Sequence, residues 1–259
     1  MAPKRSTAKI LKTNQLNSLS TNEIEDINCS KQNKICQDIK LIKSMRKNAD
    51  APVDLMGCQT CADANADPKV FRFQTLVALM LSSQTKDQIT SAAMERLRSV
   101  NCTISSILNL SNEQLEELLK PVGFYRRKAE YLKRVCAILR DKYNDDIPNT
   151  FEGLCELPGV GPKMANLAIK IAFGRIDEGI GVDTHVHRIC NRLNWIKTKT
   201  AEQTEFELRE VLPKDEWSTI NQLLVGFGQT ICLPVRPKCS ECLLNGQCYY
   251  SKKINLKKK

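Results

Sequence analysis

ELPGVGPKMANLAIKIAFG, residues 156–174, places two glycines, a proline and a lysine at the mouth of an apolar helix. Leu157, Val160, Met164, Leu167, Ala168 and Ile171 recur at helical spacing, which predicts a buried helix entered through a tight turn. Other helical patterns follow one another along the chain. DPKVFRFQTLVALMLSSQT starts at Pro68 and is apolar nearly all round from Leu76 to Leu81, as in a central buried helix. SNEQLEELLKPVGF opens with Ser111 and Gln114 at capping-box spacing and stops at Pro121 and Gly123. RKAEYLKRVCAILRDKY sets Ala129, Leu132, Cys136 and Leu139 on one face. DTHVHRICNRLNW and WSTINQLLVGFGQTIC continue the series. Sustained period-two alternation is absent, so the expected fold class is all-α.

The formal charge of +10 points to a polyanionic partner, but its placement matters more than its size. Lys4, Arg5, Lys9 and Lys12 near the start, with Lys252, Lys253, Lys257, Lys258 and Lys259 at the end, carry +9 of it. The body is nearly neutral, so nucleic-acid affinity there has to come from a local patch or from backbone amides; the tails alone could also serve solubility. The polar first forty residues read as a flexible tail, whose PKR suits a nuclear signal and whose Ser, Thr and Lys content suits an organelle transit peptide. No apolar run approaches the roughly 18 residues of a membrane span, and no signal-peptide core follows Met1. The expectation is a soluble intracellular protein.

Twelve cysteines without a secretory signal suggest a metal site rather than disulfides. CLPVRPKCSECLLNGQC spaces Cys232, Cys239, Cys242 and Cys248 as C-x6-C-x2-C-x5-C, with no histidine nearby. Four thiolates in one loop can hold a tetrahedral zinc or an iron–sulfur cube, and a single C-x2-C step favours [4Fe-4S], with zinc second. Cys58 and Cys61 in CQTC lack further ligands at metal spacing and, with Cys29, Cys36, Cys102, Cys136, Cys155 and Cys190, read as non-ligands.

Gly159 and Gly161 suit a hairpin whose exposed N–H groups form an anion-binding concavity, and Pro162 fits the first turn of the next helix, whose positive end also faces outward. Such a turn suits a DNA phosphate. Lys163 stands at that positive end, where an ammonium is disfavoured; it reads as a phosphate contact or as an amine nucleophile for Schiff-base chemistry. Asp183 in GVDTHVHR reads as a helix N-cap that could also hold an amine or a developing sugar cation.

Taken in order, MLSSQTKDQ, VGFYRRKAEYL, ELPGVGPKMANLA, VDTHVHRICNRL, LLVGFGQTICLP and the cysteine spacing make residues 38–250 closely similar to endonuclease III, the bifunctional DNA glycosylase family of base excision repair, most of all its eukaryotic form. The resemblance implies two all-α domains flanking a DNA-binding cleft. Their implied limits are a tail at 1–37, the N-terminal part of an iron–sulfur domain at 38–64, a six-helix barrel with the helix-hairpin-helix at 65–175, the C-terminal part of the iron–sulfur domain at 176–250, and a basic tail at 251–259. It further implies Lys163 as nucleophile, Asp183 as catalytic carboxylate, Gln84 and Phe124 as the residues that fill the gap and wedge the helix, and Gly159, Val160 and Gly161 as the phosphate-binding hairpin. Arg236 and Lys238 correspond to a basic loop resting on phosphates, shaped by the [4Fe-4S] cluster. The implied substrate is duplex DNA with oxidised pyrimidines such as thymine glycol, or abasic sites, bound by a monomer; the expected destination is the nucleus, with the mitochondrion as a second. Where the bacterial form usually has leucine, this chain has Phe124, and GRIDEGIGVD is longer than its bacterial counterpart.

Two rivals remain. The adenine-mismatch glycosylase shares the hairpin and the cysteine loop but usually lacks a lysine at the position of Lys163 and carries a further C-terminal domain, whereas this sequence ends at Lys259. A noncatalytic module would use the hairpin to hold phosphates and the cluster to sense redox state.

Overall fold

The computed structural model describes residues 21–175 and 179–256, and every regular element in those residues is helical. The chain runs through α1 (Thr21–Met45), α2 (Pro52–Met56), α3 (Cys58–Cys61), α4 (Pro68–Ser82), α5 (Asp87–Ser99), α6 (Ile104–Asn109), α7 (Asn112–Leu119) and α8 (Tyr125–Tyr143). It continues through α9 (Phe151–Cys155), α10 (Pro162–Phe173), α11 (Thr184–Leu193), α12 (Ala201–Val211), α13 (Trp217–Thr230) and α14 (Tyr249–Leu256).

Local sequence sets most of these boundaries. Asp67 caps α4 by accepting from the Lys69 amide at 2.8 Å, with Pro68 in the first turn, where its missing N–H costs nothing. Ser111 and Gln114 close the expected capping box on α7, the serine hydroxyl accepting from the Gln114 amide and the glutamine oxygen from the Ser111 amide.

The helices enclose two separate apolar cores. Six of them, α4 to α8 and α10, with the one-turn α3 and α9, surround the first; Phe73 to Leu81 of α4 are buried without a break at its centre. The second is built from α1, α11, α12 and α13, with Ile35, Ile39, Ile42, Ile180, Trp195 and Phe227 fully or nearly fully buried.

Two expectations about the ends change. The tail predicted over 1–37 is helical from Thr21, because Ile35, Ile39 and Ile42 fall on one stripe that the second core covers; the first twenty residues lie outside the described part. At the other end the basic segment from 251 is helical through Leu256, pinned by buried Ser251, whose hydroxyl donates to the Asn245 side chain; Lys257, Lys258 and Lys259 lie outside the described residues.

Helix α2 bridges the lobes. Its Val53 amide donates to Gln229 Oε1 of α13 at 3.0 Å, and Gln229 Nε2 donates to Asp87 Oδ2 of α5 at 2.7 Å. Ala51, Val53 and Val225 form a small apolar seam beside this chain of bonds. The joint ties α5 of the first lobe to α13 of the second.

Candidate active site and nucleic-acid interface

A cleft of about 1190 Å³ runs between the lobes, walled by the 82–88 segment, by Lys163, Met164 and Leu167 of α10, by Asp183 and His185 at the start of α11, and by Asn221 and Gln229 of α13. Lys163 is the second residue of α10, and Asp183 is the N-cap of α11. The two come from helices anchored in different cores, yet Lys163 Nζ stands 3.7 Å from Asp183 Oδ2. The carboxylate's other oxygen accepts from the Val186 amide at 2.8 Å, so one side chain caps a helix and faces the amine at once. The pair is unevenly wetted: the lysine is 40% exposed toward the cleft and the aspartate 13%. Beside them, burial lowers the His185 pKa, and its Nδ1 lies 3.1 Å from Arg188 Nη2.

The hairpin before Lys163 is closed by the Val160 amide donating to Leu157 O at 3.1 Å. Gly159 has φ +81°, and a Cβ there would lie 2.6 Å from the Tyr131 ring, so glycine is required twice over. Gly161 differs from the sequence expectation: its backbone is extended, at φ −107°, and nothing lies within 4 Å of where a Cβ would be. The turn itself does not need glycine at 161; what glycine leaves there is open approach to the amide end of α10. Val160 packs its side chain into the first core and offers only its backbone to a ligand. Gly159→Ala is therefore expected to cost about 1–2 kcal/mol of folding stability. Gly161→Ala should cost under about 1 kcal/mol yet weaken duplex binding as much. Urea unfolding and a duplex titration on both variants check this, and unchanged affinity in Gly161→Ala would remove the hairpin from the interface.

Gln84 and Phe124 are brought to neighbouring loops at one end of the cleft. Phe124 is 66% exposed, which rules out a core role, and Gln84 is exposed beyond the end of α4. Both have left-handed backbones, with φ 51° and 56°, at a cost of about 1–3 kcal/mol each for residues with a Cβ. The loops touch at Gly123, where a Cβ would lie 2.7 Å from Gln84 O, and the Gly123 amide donates to Thr85 Oγ1 at 3.2 Å. Beneath them lies Lys128, a residue the sequence reading passed over. Two exposed arginines precede it, but it sits one turn before Leu132 on the apolar stripe of α8, and it is buried.

Cys232, Cys239, Cys242 and Cys248 line one cavity with Arg192, Phe227 and Tyr250. Burial pushes the Cys242 thiol up to about 11, and the neighbouring Cys232, Cys248 and Cys239 add to the rise. Among the described residues no three His, Cys, Asp or Glu side chains close on a single ion. The first loop of the cysteine cluster leads back to the cleft, which Leu233 and Pro234 line. Arg192 fastens it there, donating to Leu233 O at 2.7 Å and Pro234 O at 2.8 Å while lying 4.3 Å over the Tyr250 ring. Arg236 and Lys238 are exposed on this loop, Lys238 within 4.0 Å of Glu241. Cys58 and Cys61 instead pack against the first core, where burial raises Cys58 and pushes Cys61 up to about 12, leaving two inert thiols. Part of the longer loop before Asp183, residues 176–178, lies outside the described residues.

Two helical lobes, a glycine hairpin at the mouth of their cleft and a lysine–carboxylate pair inside it define a helix-hairpin-helix DNA-repair protein. The model of the HhH-GPD superfamily base excision DNA repair protein matches residues 77–214. Endonuclease III-like protein 1 of Gallus gallus is 53% identical over 220 residues, covering 84% of this chain and 78% of that protein. The endonuclease III homolog of Schizosaccharomyces pombe is 50% identical over 209 residues, 80% of this chain and 58% of that one. Among solved structures, a trapped endonuclease III–DNA covalent intermediate matches with a TM-score of 0.75 at 30% identity, over 86% of this chain and 98% of that chain. The chain belongs to the endonuclease III family of base excision repair enzymes.

Proposed function

We propose that this chain is a bifunctional DNA glycosylase and abasic-site lyase that removes oxidised pyrimidines, such as thymine glycol, from duplex DNA through an imine at Lys163. The observation that carries the reading is the 3.7 Å approach of Lys163 Nζ to Asp183 Oδ2 inside a cleft wide enough for an extruded nucleotide. The free amine of Lys163 attacks C1′ of the flipped nucleotide. The C1′–N bond breaks, its electron pair leaving on the base, while the Asp183 carboxylate stabilises the cationic sugar and then takes the proton that the nitrogen sheds as the new C–N bond forms. Delivery of that proton to O4′ opens the C1′–O4′ bond and gives the imine. Loss of a C2′ proton then expels the 3′ phosphate, nicking the strand by β-elimination.

In this reading Gln84 and Phe124 occupy the gap left in the duplex, and the hairpin amides hold a phosphate. Cys232, Cys239, Cys242 and Cys248, which line one cavity, would hold a [4Fe-4S] cluster, their single C-x2-C step favouring the cube over a zinc. When bound, the cluster supplies iron–thiolate bonds that shape the loop bearing Arg236 and Lys238. The protein acts in the nucleus, with the mitochondrion as a second site, although two Arabidopsis thaliana relatives carry chloroplastic names.

Borohydride trapping tests the central claim. Wild type incubated with thymine-glycol duplex, and separately with abasic duplex, should give a covalent protein–DNA band that Lys163→Gln lacks. Base release without a trapped band would make the enzyme monofunctional, as in the adenine-mismatch class, and remove the nucleophile role from Lys163. Binding with neither base release nor nicking would favour the noncatalytic module.

A further inference from the structure

Three acceptors converge on one buried amine beneath the two loops that carry Gln84 and Phe124. Lys128 Nζ donates to Leu81 O at 2.7 Å, to Ser83 O at 2.6 Å and to Thr85 Oγ1 at 3.1 Å. An ammonium has three donors, so each finds a partner. Two of the acceptors are carbonyls of the last turn and exit of α4; Leu81 O is one, and Ser83 O, the other, also accepts from Thr85 Oγ1 at 3.2 Å. The third, Thr85 Oγ1, also accepts from the Gly123 amide, so the hydroxyl ties the Gln84 loop to the Phe124 loop.

We infer that Lys128 is a positioning residue that locks these two loops into one rigid wedge, so that Gln84 and Phe124 enter the duplex together rather than as independent side chains. The inference rests on the proposed roles of Gln84 and Phe124. Its physical need is visible in the loops themselves. Both probing residues sit in left-handed conformations that an unconstrained loop would leave, and Phe124 is held out in solvent with little packing to fix it. Lys128 begins the buried stripe of α8, so its stem is anchored in the first core while its head reaches the loops. Burial lowers its pKa to about 8, which leaves the ammonium predominant at neutral pH.

The role can be separated from simple support of the fold. Single-turnover reactions on thymine-glycol duplex, with 2-aminopurine opposite the lesion reporting duplex opening by fluorescence, are compared with borohydride trapping on a single-stranded abasic oligonucleotide, where no base has to be displaced. Lys128→Met should slow the fluorescence rise and base release in duplex at least tenfold, while single-stranded trapping stays within twofold of wild type; Lys128→Arg should recover most of the duplex rate. Equal losses on both substrates would mean a general structural defect and overturn the inference, as would a wild-type fluorescence rise in Lys128→Met. Should Lys128→Met not fold, Thr85→Val keeps the test open, because it removes the hydroxyl that joins Lys128, Ser83 and Gly123 while leaving the lysine its two carbonyl acceptors; wild-type opening in that variant overturns the inference. Gln84→Ala and Phe124→Ala separate the layers: if neither alters the fluorescence, the wedge reading fails and this inference with it. If they do alter it and Lys128→Met does not, only the role of Lys128 is wrong.

Discussion

Asp183→Asn will lower single-turnover base release by about 10²–10⁴-fold, the range for removing a positioned proton-transfer or charge-stabilising group, with the melting temperature unchanged. The two halves of that expectation come from the two oxygens of one side chain. Oδ1 holds the Val186 amide at 2.8 Å, a bond that asparagine makes as well as aspartate, so α11 keeps its start. Oδ2 faces Lys163 at 3.7 Å, and there the amide can neither take a proton nor stabilise a cationic sugar. Asp183→Ala loses both functions and should add about 1 kcal/mol of destabilisation to the same rate loss. Thymine-glycol release under enzyme excess, beside thermal melting, separates the variants. A rate for Asp183→Asn within tenfold of wild type would leave Asp183 a cap and nothing more.

The same residue marks how far the sequence could be read. Its cap is legible, since an aspartate before THVHR is a familiar helix start, but its approach to Lys163 is not. Lys163 hangs from the first core and Asp183 from the second, so no periodicity relates them, and only the likeness to a known family set them together. Elements that obey local chemistry were readable: the Ser111 box, the unbroken burial of α4, and the stripe of α8 through Ala129, Leu132, Cys136 and Leu139. The start of α1 was hidden because the three isoleucines that the core buries, Ile35, Ile39 and Ile42, stand among polar residues, and their partners lie far along the chain, at Ile180 and beyond. Lys128 was hidden by Arg126 and Arg127. Its place on the apolar stripe was the available signal, and a lysine there requires acceptors that sequence alone does not locate.

The polar joint between the lobes should prove as consequential for stability as the lysine–carboxylate pair is proposed to be for chemistry. Arg46 at the end of α1 and Asp54 of α2 form an ion pair whose side chains are 5% and 9% exposed. Asp54 also accepts from the Ala51 amide at 3.0 Å and from Gln222 Nε2 of α13 at 3.3 Å, so one carboxylate gathers three elements. Asp54→Ala takes away the buried counter-charge and leaves the guanidinium only the exposed Asp50, 3.6 Å from an Nη1 that, like Nε, has no hydrogen-bond partner; the change should cost about 3–5 kcal/mol in urea unfolding. Replacing both residues, Arg46→Met with Asp54→Leu, removes the stranded charge and should recover much of that loss, because the desolvation penalty goes with the pair. Base release is expected to stay low in the double variant even where it is fully folded. The apolar seam of Ala51, Val53 and Val225 and the bonds of Gln229 to Val53 and Asp87 can keep the lobes together without the Asp54 contacts that orient α2 against α1 and α13. A stable double variant with wild-type turnover would show instead that the seam and the Gln229 bonds alone set the spacing of Lys163 and Asp183.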